Sequence, residues 1–122
     1  MYLKHLVFVY GTLKRGCSNH FFLEEARCLG RARTLHAYAL YEGEYPFVIR
    51  EEHLTPIHGE VYEVDGQTLQ RLDRLEEHPD YYRREQVDVV LEDGSKLLAW
   101  LYFFPTPRGR FIESGEWLPV RP

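Results

Sequence analysis

Cysteine is scarce: of 122 residues only Cys17 and Cys28 are thiols, and neither stands in a C-x-x-C or zinc-like spacing. Two are too few for a disulfide scaffold, so both read as reduced thiols. An excess of positive charge is missing as well. The formal net charge is −4, and the cations are interleaved with acids in stretches such as EEARCLGRAR and LQRLDRLEE, which leaves no basic stripe for nucleic acid. The longest apolar run, residues 97–104, is far below the roughly 20 residues of a membrane-spanning helix. The opening MYLKHLVFVYG has too short an apolar core for a secretory signal and no small-residue cleavage site. The expectation is a cytoplasmic protein with no nucleic-acid or membrane partner.

Signatures of nucleophilic and cofactor chemistry are equally absent. Ser18, Ser95 and Ser114 lie outside any G-x-S-x-G, no Ser-His-Asp or Cys-His arrangement can be read, and there is no Walker loop or G-x-G-x-x-G. The six histidines form neither an H-x-x-x-H pair nor a Cys/His set. No metal and no cofactor is implied, and an enzyme with this sequence lacks a protein nucleophile.

What is present is a globular composition, 44% hydrophobic, with nine Tyr and seven Phe, which favours a β-rich core. The length suits one domain over residues 1–122. Turn signals recur about every ten residues. Residues 3–10, 31–41, 47–50 and 57–64 read as strands. Ser18 or Asn19 is placed to cap a helix over residues 20–29, with Gly30 just past its end. Asp65-Gly66 starts a second helix striped with Leu69, Leu72 and Leu75 and stopped by Pro79. Residues 83–91 and 96–104 flank Glu92-Asp93-Gly94-Ser95, a hairpin signal. The last strand is apolar on both faces, hence central, so the sheet must curl closed or carry helices. The expected fold is α+β: a small, partly closed β-barrel with two short helices.

Two stretches carry chemistry. In Tyr10-Gly11-Thr12-Leu13 a glycine directly after a buried strand permits φ > 0 or close approach of a ligand, and successive exposed N–H groups form an anion-binding concavity. The alternative is an ordinary tight turn with Lys14 and Arg15 as solvated charges. In residues 72–84, LDRLEEHPDYYRR, Glu76 lies four after Leu72 and seven after Leu69, on the side of the buried leucines. Burial and the helix macrodipole would both raise its pKa above about 4.3, into the range of a general base near neutrality. The alternative is a helix-end carboxylate paired with Arg83 or Arg84. Glu77, one position round, is expected to face water.

Tyr10-Gly11-Thr12-Leu13-Lys14-Arg15-Gly16 followed by Asn19-His20, then Leu72-Asp73-x-Leu75-Glu76, Tyr82 before Arg83-Arg84, and Gly115-Glu116-Trp117, occur in that order over nearly the whole chain. Together they resemble the γ-glutamylcyclotransferase-like family, particularly its γ-glutamylamine cyclotransferase branch. The resemblance implies a mixed β-barrel in which the turn Tyr10, Gly11, Thr12 and Leu13 holds the α-carboxylate and amine of a γ-glutamyl group. It implies Glu76 as general acid/base and Tyr82 as pocket tyrosine. The implied reaction needs no protein nucleophile: the substrate's α-amine attacks its own γ-carbonyl, releasing 5-oxoproline and a free amine. Glu77 and His78 depart from the γ-glutamylamine branch, which tends to be small or uncharged after the acid, and the departure bears on the leaving amine. Loops 42–46 and 106–110 are expected to contact that amine, and Trp117 either closes the pocket or packs on the barrel. The competing reading is a non-catalytic module that binds an amino-acid-like ligand in the same pocket.

Overall fold

The computed structural model of the chain describes residues 4–119. Its core is a closed barrel in the order β1 (Lys4–Val9), β5 (His58–Asp65), β2 (Arg27–Thr34), β6 (Arg83–Leu91) and β7 (Lys96–Phe103). Neighbours run antiparallel except at the closure, where β1 meets β7 in parallel through Val7 and Trp100. That contact makes the barrel mixed, and closed where the sequence suggested partial closure. A second sheet, β4 (Pro46–Ile49), β3 (Ala39–Glu42) and β8 (Arg110–Phe111), packs beside it.

β1 shows why its sequence is a continuous apolar run. Phe8 joins Ala32, Val61, Val89, Ala99 and Leu101, drawn from the other barrel strands, in one buried cluster. Val7 and Val9, pointing the opposite way, join Tyr62, Val64, Leu69 and Leu72 in another. A strand covered on both faces has no polar side to show. β7 is likewise covered near its end, with Leu101, Tyr102 and Phe103 all buried, while Leu98 beside the hairpin is exposed.

Among the described residues one α-helix forms, where two were expected: α1 (Gly66–Leu75), buried through Leu69 and Leu72. The Asp65 carboxylate caps it by accepting from the Thr68 N–H at 2.8 Å. Its other end closes before Pro79 is reached. Glu77 takes the left-handed conformation (φ 54), its N–H donates to the Arg74 carbonyl at 3.3 Å and the His78 N–H to that of Asp73 at 2.9 Å, which is a Schellman closure.

The helix expected over residues 20–29 is not there. A single turn of 3₁₀ helix, His20–Leu23, is followed by β2, and Gly30 (φ 121) sits at a register shift against β5 instead of capping a helix. Pairing on both edges, to β5 and β6, outweighs the local helical propensity of FFLEEAR. The strand expected over residues 31–41 is two strands, broken where buried Thr34 accepts from the Ile57 N–H and donates to the His36 carbonyl.

Asp65→Ala is expected to cost about 1 kcal/mol, read as a lower urea midpoint at unchanged m-value.

Candidate active site

The turn after β1 is shaped by what its carbonyls do. The Gly11 carbonyl accepts from the Lys14 N–H at 3.0 Å and that of Thr12 from the Asn19 N–H at 2.9 Å. The Leu13 carbonyl accepts from the His20 ring Nδ1 at 3.0 Å, and the Asn19 amide donates to the Thr12 hydroxyl at 3.0 Å. The short 3₁₀ turn thus latches the loop through its acceptors. Among the described residues no acceptor takes the N–H groups of Gly11, Thr12 or Leu13. Gly11 does not use a positive φ. A Cβ there would lie 2.5 Å from Cγ of Pro46, so glycine is required by the proline ring packed against it. The Tyr82 hydroxyl in turn donates to the Pro46 carbonyl at 3.1 Å.

Glu76 follows α1 directly, its N–H donating to the Leu72 carbonyl at 2.9 Å. Burial pushes its carboxyl from 4.5 up to about 7. The alternative partners do not reach it. Arg84 forms a bidentate pair with Asp73 (Nε–Oδ1 2.8 Å, Nη2–Oδ2 3.1 Å) and its guanidinium lies 4.2 Å from the Trp100 ring centre, while Arg83 is exposed. Among the described residues Glu76 forms no ion pair.

Both halves face one cavity of about 240 Å³, whose wall includes Tyr10, Gly11, Thr12, Leu13, Glu76 and Tyr82, the six residues singled out in the sequence. Among the described residues no Lys, Arg or His lines it. The donors that face an entering anion there are neutral, the unpaired backbone N–H groups foremost, and the acceptor for a proton is Glu76. Sequence reasoning did not single out Tyr102, whose hydroxyl donates to Asp73 Oδ1 at 2.7 Å and whose carbonyl accepts from the Tyr10 hydroxyl at 2.8 Å. It also overlooked Tyr81; Tyr45 and Pro46 belong to or border the loop expected to vary with the amine. The doubly apolar pattern of β7 was the available signal for Tyr102. Burial holds the Tyr10, Tyr82 and Tyr102 phenols above their ordinary value, so each remains a neutral donor.

Lys14, read as a solvated charge under the tight-turn alternative, is buried, and its ammonium donates to the Trp117 carbonyl while lying 5.8 Å from the indole centre. Trp117 packs on the barrel cluster and does not line the cavity.

The family model "Gamma-glutamyl cyclotransferase, AIG2-like" matches residues 7–119. The chain belongs to this family of cyclotransferase enzymes. It is 46% identical over 116 residues to the Methanocaldococcus jannaschii protein named "Putative gamma-glutamylcyclotransferase MJ1514", covering 94% of this chain and 97% of that one. It is 42% identical to the gamma-glutamylaminecyclotransferase of Bos taurus over 102 residues, 70% of this chain and 56% of that one. Among solved structures, an AIG2-like protein from Mus musculus superposes with a TM-score of 0.73 at 34% identity, over 82% of this chain and 76% of its own. The mixed barrel is thus the fold shared with the mouse protein.

Two outcomes follow from the cavity wall. Gly11→Ala is expected to destabilise by about 1–3 kcal/mol, because the stiff Pro46 ring must move for the methyl to fit; thermal unfolding measures it. Glu76 holds its proton more tightly in the folded chain than in the unfolded one, so its contribution to stability is complete below about pH 4.5 and lost as pH rises through about 7. At about 1.36 kcal/mol per pH unit of separation, the loss is roughly 3 kcal/mol. Glu76→Gln, neutral throughout, removes it. Denaturation at about pH 5 and pH 8 should show the variant gaining on the wild type at the higher pH; a constant gap would contradict an enclosed Glu76 carboxyl.

Proposed function

We propose that the protein is a γ-glutamylamine cyclotransferase acting on γ-glutamyl amides, with Glu76 as its proton shuttle. The observation that carries this reading is a largely desolvated carboxylate sharing a cavity with three backbone N–H groups, the carboxylate without an ion-pair partner and the N–H groups without a protein acceptor among the described residues. The bovine gamma-glutamylaminecyclotransferase relative supports the amine-releasing branch.

In this reading the substrate α-carboxylate lies against the amides of Gly11, Thr12 and Leu13. Glu76 takes a proton from the α-ammonium, and the freed nitrogen attacks the γ-carbonyl carbon. A five-membered ring closes, the departing nitrogen takes the proton carried by Glu76 as its bond to the carbonyl carbon breaks, and the second proton of the ring nitrogen passes through the vacated Glu76 carboxylate to the amine, which leaves as an ammonium. Atoms balance with substrate alone, giving 5-oxoproline and an amine. A free α-ammonium titrates at about 7.7–8.0, so a carboxylate held near 7 is matched to it. Holding the two ends of one molecule in reach supplies the main acceleration, since effective molarities of oriented intramolecular attack reach about 10⁵–10⁸ M.

The test is 5-oxoproline release from a panel of γ-glutamyl amides, scored by mass spectrometry. Wild type is expected to release it, with kcat/KM rising with pH through about 7 as Glu76 ionises. Glu76→Gln should retain KM within a few-fold and lose about 10²–10⁴ in kcat. Saturable binding of every amide without product would instead establish a binding module, and full turnover by Glu76→Gln would remove Glu76 from the chemistry.

A further inference from the structure

Glu77 stands where the Schellman closure of α1 needs a left-handed residue, the place glycine ordinarily takes. Among the described residues it is the one non-glycine with positive φ, a conformation whose strain is tolerated where surrounding structure or function holds it. Its carbonyl accepts from the Tyr81 N–H at 2.8 Å, which folds residues 77–81 into the rim of the cavity. Glu77 is exposed, lines that cavity, and forms no ion pair among the described residues. Tyr45 and Tyr81, 51% and 39% exposed, line the same cavity. Tyr81 is held edge-on by Tyr82 and Phe104, with ring centres 5.4 Å and 4.9 Å away.

We propose that Glu77, with Tyr45 and Tyr81, forms a leaving-group subsite selective for amines that carry a second positive charge. The inference rests on the cyclotransferase reading and adds to it the class of amine released. Glu76 must reach the departing nitrogen, so the remainder of the amine extends from there toward the rim. What it meets is a carboxylate without an ion-pair partner among the described residues and two partly exposed phenol rings, a combination that attracts ammonium through charge and through the aromatic quadrupole, while the Arg108 guanidinium lies over the Phe104 and Phe47 rings, 5.4 Å and 6.0 Å from their centres. A neutral alkyl chain gains only the ring contact. A terminal carboxylate faces Glu77, and among the described residues no cation lines the cavity to offset it.

Three γ-glutamyl amides of similar length separate the effects: those of 1,4-diaminobutane, of n-butylamine and of 4-aminobutyrate. Wild type is expected to favour the diamine conjugate over the butylamide by about three- to fivefold in kcat/KM, the range of an exposed ion pair, with the carboxylate conjugate last. The preference should shrink with added salt. Glu77→Gln should bring the three rates together. Glu77→Gly should do the same without lowering Tm, since glycine adopts the left-handed backbone without strain; this separates lost selectivity from damaged folding. Equal rates for diamine and butylamine conjugates in wild type, or a Glu77→Gln loss of the same factor for all three, overturn the subsite and leave the cyclotransferase intact. The second result would mean that Glu77 meets the substrate's own α-ammonium. No 5-oxoproline from any conjugate overturns both.

Discussion

The bidentate pair between Asp73 and Arg84 organises the site without lining the cavity. Both side chains are less than one-fifth exposed, where an ion pair is maintained only if its lone pairs and protons are satisfied. Here Asp73 accepts two guanidinium donors and the Tyr102 hydroxyl, and together with the Arg84 contacts they hold its carboxyl below the ordinary range despite burial. Tyr102 in turn accepts the Tyr10 hydroxyl on its carbonyl. A chain of polar contacts therefore runs from the last turn of α1, through β7, to the residue before Gly11. It ties the element that carries Glu76 to the loop that carries the free amides. It also commits the Arg84 guanidinium to Asp73, three residues before Glu76, so that burial alone sets the proton affinity of Glu76.

Glu76 was legible because helical periodicity is a local property. Leu69, Leu72 and Glu76 share a face whatever the rest of the chain does, and the buried leucines fix where that face points. The hairpin around Gly94 was legible for the same reason. Residues 20–29 were not, because their state is decided from outside. FFLEEAR favours a helix on its own, but Arg27–Thr34 lies between β5 and β6 and completes the barrel. Gly30 shows the ambiguity in one residue. A glycine after a possible helix reads as its cap, whereas here it opens a bulge that only the partner strand reveals.

The role of Gly11 was half legible. That backbone must come close to something at that point follows from a glycine after a buried strand, but the neighbour is Pro46, 35 residues on and part of the second sheet. Tyr82 holds the same proline through its carbonyl. One wall of the cavity is thus a stack of glycine, proline and tyrosine from three distant segments, and no local pattern marks it. Pairings of this kind appear in the sequence only as individual residues, which explains why Tyr10 and Tyr82 stood out while Pro46 and Tyr102 did not.

That no described residue of the cavity wall is a cation bears on how one site can hold an anion and a proton acceptor together. An arginine there would bind a carboxylate strongly, but its charge would also favour the ionised form of Glu76 and draw its pKa back toward the ordinary range. Backbone amides offer hydrogen bonds with partial charge only, distributed along the loop. They meet a carboxylate while leaving the desolvation of Glu76 uncompensated. In the proposed reaction those two demands fall on the same substrate a few ångströms apart, so the carboxylate binder has to be weak in field and strong in geometry. The latch made by Asn19 and His20 serves that geometry. With the Gly11 and Thr12 carbonyls taken by the Lys14 and Asn19 N–H groups, the peptide units that carry the Thr12 and Leu13 N–H groups are fixed with those N–H groups free of protein acceptors among the described residues, and the recognition of charge is transferred from side chains to the fold.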